Sequence, residues 1–183
     1  MPRPNANWAA RCWPLPINAN SDNHFSQEPR MATREHHYQV NVRWTGNRGA
    51  GTQSYTAYDR NGELSGEGKA TVALSADPAF RGDAARWNPE ELLLASVSAC
   101  HKLWYLHLCA DAGIIIDAYE DSAEGTMVEG DRGHFTRITL KPRVALRNKD
   151  DVARAEALHH HAHEACFIAN SLNFPVSFEP MFV

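Results

Sequence analysis

The feature that most constrains the fold is a long helix that begins at Asn88 and is apolar on nearly every side. Asn88 is a favourable N-cap residue, Pro89 fits the first helical position, and Glu91 is placed to complete a capping box. Gly113 is the predicted end of the helix. Its body carries Leu92, Leu93, Leu94, Ala95, Val97, Ala99, Leu103, Trp104, Leu106 and Leu108. Such a helix belongs in a core or an interface, so its mid-helix thiol, Cys100, is predicted to lie inside the protein.

Length, charge and cysteine content exclude several classes of protein. The 183 residues suffice for one domain, and 43% hydrophobic residues can form a sizeable core. A net charge of −4 without a Lys/Arg block disfavours a nucleic-acid partner. No run of about 18 apolar residues predicts a membrane span. Four scattered cysteines (Cys12, Cys100, Cys109 and Cys166) do not fit a disulfide-stapled secreted module, so we expect a reducing, cytoplasmic setting.

The chain divides into an N-terminal extension and one domain. Residues 1–33 are rich in Pro, Asn and Ser and show no sustained periodicity, so we expect a disordered extension without a function. Met31 is an alternative initiator, and the segment lacks the apolar core and cleavage site of a secretory signal. The domain is expected to span residues 34–183.

Alternating apolar residues and turn signals predict an α+β fold within that domain. Period-two patterns favour strands at residues 37–44, 52–59, 69–75, 114–128, 134–146 and 173–182, with a turn at Asn61-Gly62. A second helix is predicted to begin at Asp150 or Asp151. Its small and apolar stripe comprises Ala155, Leu158, Ala162, Ala165, Cys166, Ala169 and Leu172. Antiparallel strands with two long central helices on one face make an α+β fold.

Two cysteines on apolar helix faces are the first candidates for chemistry. If the helices pack together, Cys100 and Cys166 could meet, which requires Cα atoms within about 7 Å. The alternative is that both thiols only pack, as buried free cysteines often do. Cys109 is predicted to pack.

A reactive Cys100 needs a cation, because it lies about three turns beyond the N-cap, where the helix dipole has faded, and burial raises a thiol pKa. Arg81 is the best candidate by position, Glu90 could hold it, and Arg86 is the rival. The alternative for all three is an ion pair at the surface.

Histidines supply further candidates. Trp104 and His107 share a helix face with Cys100, so His107 could be a base or simply a core residue, whereas His101 points about 100° away. The run at residues 159–163 suggests metal, but only His159 and His163 share a face, and zinc usually needs four ligands.

These residues resemble the OsmC/Ohr family of bacterial thiol peroxidases. The resemblance covers residues 36–183. It rests on Asn88-Pro89-Glu90-Glu91-Leu92, on Ser98-Ala99-Cys100, and on Cys166 about 65 residues later. Two positions differ from the family pattern: His101 stands where an aromatic residue usually follows the first cysteine, and Phe167 where proline often follows the second.

The resemblance implies an OsmC-like fold and an intertwined homodimer with active sites at the subunit boundary. It also implies that Cys100 is the peroxidatic thiolate, Cys166 the resolving thiol, Arg81 the activating cation and Glu90 its carboxylate partner. The implied reaction reduces an organic hydroperoxide, and hydrogen peroxide as a possible second substrate, without metal or other cofactor. An external dithiol, of lipoyl type by analogy, would restore the thiols.

An apolar substrate pocket is expected from Leu103, Trp104, His107 and Phe167. The alternative function is a non-catalytic binding or stress-sensing protein on the same fold, in which the His159–His163 segment could bind metal. No nucleic acid or membrane is expected as a partner.

Overall fold

The computed structural model describes residues 34–183, so the extension expected at residues 1–33 lies outside the described part. The strands are β1 (Asn41–Trp44), β2 (Gly62–Ser65), β3 (Val72–Leu74), β4 (Ile116–Asp121), β5 (Glu124–Val128), β6 (His134–Leu140), β7 (Pro142–Leu146), β8 (Val176–Phe178) and β9 (Met181–Phe182). Helix α1 (Pro89–Asp111) lies between β3 and β4, and helix α2 (Val152–Ala165) between β7 and β8. The predicted α+β class, with antiparallel sheets, is confirmed.

Helix α1 begins and ends where its local sequence predicts. The side chain of Asn88 accepts a hydrogen bond from the Glu91 amide at 2.8 Å, and the Glu91 carboxylate accepts one from the Asn88 amide at 3.1 Å. This is the predicted capping box. After Asp111, Gly113 adopts a φ of +71°, which glycine tolerates and which ends the helix.

Strands β1, β2 and β3 form an antiparallel sheet that leaves apolar side chains exposed. In the register, Val42 lies opposite Leu64, and Leu64 opposite Val72. Strand β1 was predicted to be half-buried, but its residues are exposed in the protomer, with Val42 at 65% and Trp44 at 44%. The sheet therefore has an apolar side, defined by Val42, Trp44, Leu64, Val72 and Leu74, and a polar side that carries Arg43 and Glu63.

The strand predicted at residues 52–59 is wrong, because side chains bind the carbonyls that a strand would use. Arg48 donates to the carbonyls of Thr56 and Ala57, and Arg60 donates to those of Tyr55 and Tyr58. The segment forms turns instead. The turn predicted at Asn61-Gly62 is also wrong, since Gly62 begins β2.

The two long strands predicted after α1 are each divided. Asp121 ends β4, and its carboxylate accepts hydrogen bonds from the Lys141 amide at 2.7 Å and from the Ser98 hydroxyl. At Asp121 and at Lys141 the chain passes between two sheets, β4-β7-β9 and β5-β6-β8. The single terminal strand predicted at 173–182 is likewise two strands, β8 and β9, which pair in parallel with β6 and β7.

Helix α2 is shorter than its apolar stripe predicts. It ends at Ala165, so Cys166 is the C-cap residue rather than a mid-helix residue. Asp151 is the N-cap residue but makes no side-chain capping bond, and the cap of the preceding turn comes from Asn148. Arg154 near the start of α2 donates to the carbonyl of Ala112 just beyond α1, at 2.9 Å, so the two helices run antiparallel. No helix of residues 34–183 is both long and apolar enough to cross a membrane.

Candidate functional site

The two helices bring the sulfur atoms of Cys100 and Cys166 together. Cys166 is fully buried at the end of α2, and Cys100 is partly buried in the middle of α1. The pKa of Cys166 is raised to about 11, mainly by burial; the Ala169 amide opposes this effect, contact with the Cys100 side chain adds to it, and the Ile168 amide makes a smaller opposing contribution. Both cysteines are free thiols. The sequence left open whether these two thiols meet, and in the protomer their side chains are in contact.

An aromatic cluster lies beside this pair. The ring of Trp104 makes edge contacts with His107 and with Phe167, at centroid distances of 5.9 and 5.7 Å. Phe167 directly follows Cys166 and is 69% exposed, and Leu103 is 65% exposed. His107 pairs with Asp111 at 3.4 Å. The imidazole of His107 is therefore paired with a carboxylate one turn away, which makes His107 a less suitable base for Cys100.

The arginines singled out in the sequence are engaged elsewhere in the protomer. Arg81 follows a short 3-10 turn at a φ of +66°, and its guanidinium lies 5.9 Å from the ring centroid of Tyr55. The guanidinium of Arg86 pairs with Asp83 at 3.3 Å. Glu90 lies in the first turn of α1, and ten residues of helix separate it from Cys100 by about 15 Å. A cation held by Glu90 therefore cannot reach Cys100 along the same helix.

A buried histidine pair is the feature that sequence reasoning missed. His101 Nε2 and His159 Nδ1 lie 3.0 Å apart, and both residues are at most 1% exposed. Burial lowers the pKa of His101 to about 4; the Asp121 carboxylate opposes this effect and His163 adds to it. Burial lowers the pKa of His159 to about 3, with smaller effects in the same direction from His101 and His160. Both imidazoles are therefore neutral near pH 7.

A sequence signal for half of this pair did exist. Val97, His101, Tyr105 and Leu108 recur at helical spacing, and all four are buried on one side of α1. The spacing of residues along one helix gives no information about the residue that faces it, so His159 could not be inferred as the partner.

The histidine run on α2 does not form a metal site with its neighbours. Residues 34–183 hold no group of three or more His, Cys, Asp or Glu side chains arranged to bind a metal ion. The Nδ1 atom of His159 is already paired with His101, and His160 and His161 are exposed.

A cavity of about 510 Å³ lies on another side of α1. It is lined by Trp87, Glu91, Leu94, Ala95, Ser98, Ala99, Lys102, Tyr119, Asp121, Ser122 and Ala123. Ser98 donates to the Asp121 carboxylate at 2.5 Å across this cavity wall. Neither Cys100 nor the four residues expected to form a substrate pocket line it, so the cavity and the thiol pair are separate features.

Comparison with known proteins identifies the family. The family model for OsmC-like proteins matches residues 82–180, which include both thiols and both helices. The uncharacterized protein YmaD of Bacillus subtilis is 26% identical over 144 residues, which cover 75% of this chain and 87% of YmaD.

Solved structures share the same fold. An OsmC-like protein of unknown function from Vibrio cholerae is 28% identical, with a TM-score of 0.71 over 80% of this chain and 100% of that one. An organic hydroperoxide resistance protein from Legionella pneumophila is 20% identical, with a TM-score of 0.56 over 81% of this chain and 98% of that one. With more than half of its length matched by the family model, this chain belongs to the OsmC-like protein family.

Proposed function

We propose that the protein is a cysteine-based peroxidase that reduces organic hydroperoxides, and that hydrogen peroxide is a second, poorer substrate. The observation that carries the proposal is the contact between the partly buried thiol of Cys100 and the buried thiol of Cys166. Membership of the OsmC-like family supports a hydroperoxide-resistance or redox role.

The two thiols and the peroxide supply all the atoms and electrons of the oxidative half of the reaction. The thiolate of Cys100 attacks the distal oxygen of the hydroperoxide, the O–O bond breaks, and the leaving alkoxide takes a proton to become the alcohol. The sulfur of Cys166 then attacks the sulfenic acid of Cys100, which forms the disulfide and releases water. Two thiols and one hydroperoxide thus yield one disulfide, one alcohol and one water. An external dithiol in a reducing cytoplasm, of lipoyl type by analogy, returns both thiols by exchange.

The two thiols differ in a way that assigns their roles. Burial holds the pKa of Cys166 near 11, so this thiol keeps its proton at neutral pH and is a poor first nucleophile. Cys100 is the more accessible of the two and lies near the partly buried Trp104 and the exposed Phe167, whose apolar rings suit the hydrocarbon part of an organic hydroperoxide. Cys100 is therefore the peroxidatic thiol and Cys166 the resolving thiol.

A second copy of the chain is proposed to complete the site. Arg81 and Glu90 are the expected activating pair, yet Glu90 lies about 15 Å from Cys100 along α1. In an intertwined homodimer, the first turn of α1 and the Arg81 loop of one copy can reach the thiols of the other. The exposed apolar side of the β1–β3 sheet is the type of surface that a second copy would cover.

Stopped-flow reduction of cumene hydroperoxide by the prereduced protein tests the proposal. We expect rapid oxidation in the wild type and no oxidation in Cys100→Ser, whereas Cys109→Ser should behave as wild type, because Cys109 is buried beside Tyr105. Equal behaviour of wild type and Cys100→Ser would remove the proposal.

Complementation between subunits tests the shared site. Arg81→Ala and Cys100→Ser chains, each inactive alone, should regain activity when refolded together, because each mixed dimer contains one intact site. An inactive mixture of stable dimers would show that Arg81 and Cys100 act within one chain.

The separate cavity favours a second candidate function, ligand binding or stress sensing without catalysis. Thiol alkylation distinguishes the two functions. A Cys100 titration midpoint near the ordinary value of about 8.5 favours binding, and a midpoint well below about 7 favours the peroxidase.

A further inference from the structure

The buried histidine pair lies at the same helix–helix contact as the thiols. His101 directly follows Cys100 on α1, and His159 precedes Cys166 by seven residues, about 10 Å along α2. The ring of Tyr105 stacks on His159 with centroids 3.8 Å apart. Phe178 of β8 stacks on both imidazoles, at 5.6 and 5.7 Å. Aromatic rings therefore hold the pair from two elements.

The hydrogen bond between the two imidazoles is directional, and neither ring makes another one within residues 34–183. Two neutral imidazoles bond only when one presents its N–H and the other its lone pair, so one geometry satisfies them. In the part of the chain that the structure describes, His101 Nδ1 and His159 Nε2 are buried without partners. The shared bond is thus the one hydrogen bond of each ring, and breaking it leaves two buried polar atoms uncompensated.

Two side-chain hydrogen bonds among residues 34–183 connect α2 with α1 or its C-cap. One is the histidine bond, and the other runs from Arg154 to the carbonyl of Ala112, at the far end of the contact from the thiols. The remaining contact between the helices is apolar and includes Ala155 and Ala162, whose small side chains do not by themselves prevent sliding. The bond near the thiols is therefore the directional restraint closest to them.

We propose that the His101–His159 hydrogen bond is a positioning contact that fixes the register of α1 and α2, and so sets how readily Cys166 closes a disulfide with Cys100. Disulfide formation has narrow geometric limits, since a Cα separation beyond about 7 Å cannot be bridged without backbone movement. A small displacement of α2 along α1 therefore reduces the effective concentration of one thiol at the other. Neither histidine contacts the peroxide in this scheme.

Equilibration with glutathione measures that effective concentration without any peroxide. The two protein thiols and one oxidised glutathione give the protein disulfide and two reduced glutathiones, so the electrons and protons balance. We expect His159→Leu to lower the effective concentration at least about tenfold. His101→Gln, whose side-chain amide can take the place of Nε2 as either donor or acceptor to His159, should stay within about threefold of wild type. Arg154→Ala, the matched control at the far end, should also stay within about threefold.

The double variant His101→Leu/His159→Leu separates positioning from stability. It replaces the polar pair by an apolar pair. Its free energy of unfolding should be at least that of His159→Leu, because no buried imidazole is left without a hydrogen-bond partner. Its effective concentration should nevertheless remain low. Wild-type disulfide closure in the double variant, or in a folded His159→Leu protein, would overturn the proposal. If His159→Leu does not fold, the measurement is made on the double variant.

The inference rests on the proposed function only in treating Cys100 and Cys166 as a redox pair. A wild-type protein that forms their disulfide with glutathione but does not reduce hydroperoxides would end the proposed function and leave the positioning role supported. A wild-type protein that forms no such disulfide would overturn the positioning role itself.

Discussion

At the scale of single residues, three buried or partly buried thiols have different surroundings. Cys109 lies beside the Tyr105 hydroxyl, and burial raises its pKa. Cys166 is equally buried but lies against a second thiol, Cys100. Burial alone therefore does not separate packing from chemistry; contact with another sulfur does. This distinction explains why Cys109 is expected to be silent in experiments to which the other two respond.

Replacing the resolving thiol should stop the reaction halfway. In Cys166→Ser, Cys100 should still consume one equivalent of hydroperoxide, but its sulfenic acid should persist and react with dimedone. Excess peroxide should then carry it to the sulfinic acid. Rapid quenching with mass spectrometry of the Cys100 peptide measures both products. A Cys166→Ser protein that turns over with a dithiol as wild type does would contradict the assigned role.

At the scale of elements, the cap of α1 holds the start of the thiol-bearing helix. Asn88 is 6% exposed, and its side chain accepts the amide hydrogen bond of Glu91. We expect Asn88→Ala to lower the free energy of unfolding by about 1–2 kcal/mol, and Asn88→Ser, which keeps a capping oxygen, to cost less. Urea unfolding of the three proteins measures the difference. Equal losses in both variants would show that the capping bond is not the cause.

The histidine contact between α1 and α2 should make the protein sensitive to acid. Folding lowers the pKa of both imidazoles below the ordinary 6.5, so the unfolded chain binds more protons below that pH. The free energy of unfolding should therefore fall as the pH drops from about 6.5 toward 4, by up to roughly 1.4 kcal/mol per pH unit for each histidine.

Urea unfolding at about pH 7 and about pH 5 measures this dependence. The variant His101→Leu/His159→Leu lacks both titrating groups and should lose this part of the fall in stability. The other titratable groups near the pair, Asp121, His160 and His163, are present in both proteins, so their own titration is common to both. The same decline in both proteins would show that the pair does not titrate as described.

Elements that are set by neighbouring residues in the chain could be predicted from the sequence. Elements that depend on hydrogen bonds from distant residues could not. Helix α1 followed from Asn88, Pro89, Glu91 and Gly113, because a cap and a stop act within a few residues. The division of the strands at Asp121 depends on hydrogen bonds from Ser98 and Lys141, which are about twenty residues away on either side. Period-two alternation continues across such a break, so the pattern predicts one strand where the fold makes two.

The candidate site shows the same limit. The helix stripes indicated that Cys100 and Cys166 could meet if the helices pack, and the resemblance to the OsmC/Ohr family implied their roles, but neither established the contact. The predicted activating pair, Arg81 and Glu90, stays a prediction, because the protomer does not bring both to the thiol. The His101–His159 contact arises only when two helices pack in one register, and no spacing within either helix specifies that register.

At the scale of the whole molecule, the exposed apolar side of the β1–β3 sheet should govern assembly. Val42 is 65% exposed and aligns with Leu64 and Val72 in one apolar row. We expect Val42→Lys to weaken the proposed homodimer, because a charge in a buried interface is costly to desolvate. Arg43→Gln on the polar side of the same strand is the matched control and should assemble as wild type.

Sedimentation of both variants measures the effect. The Val42→Lys protein should shift toward the monomer and lose peroxidase activity in parallel, since the proposed site needs two copies. A wild-type protein that is monomeric and fully active would contradict the shared site.

The pairing of Cys100 with Cys166 is the claim on which the rest depends. Intact-mass and peptide analysis after one equivalent of cumene hydroperoxide tests it most directly. The account predicts a protein that has lost two hydrogens, with a disulfide mapped to Cys100 and Cys166 and with Cys109 still a free thiol. An unchanged mass, or oxygen added to Cys100 with Cys166 still reduced in the wild type, would contradict it.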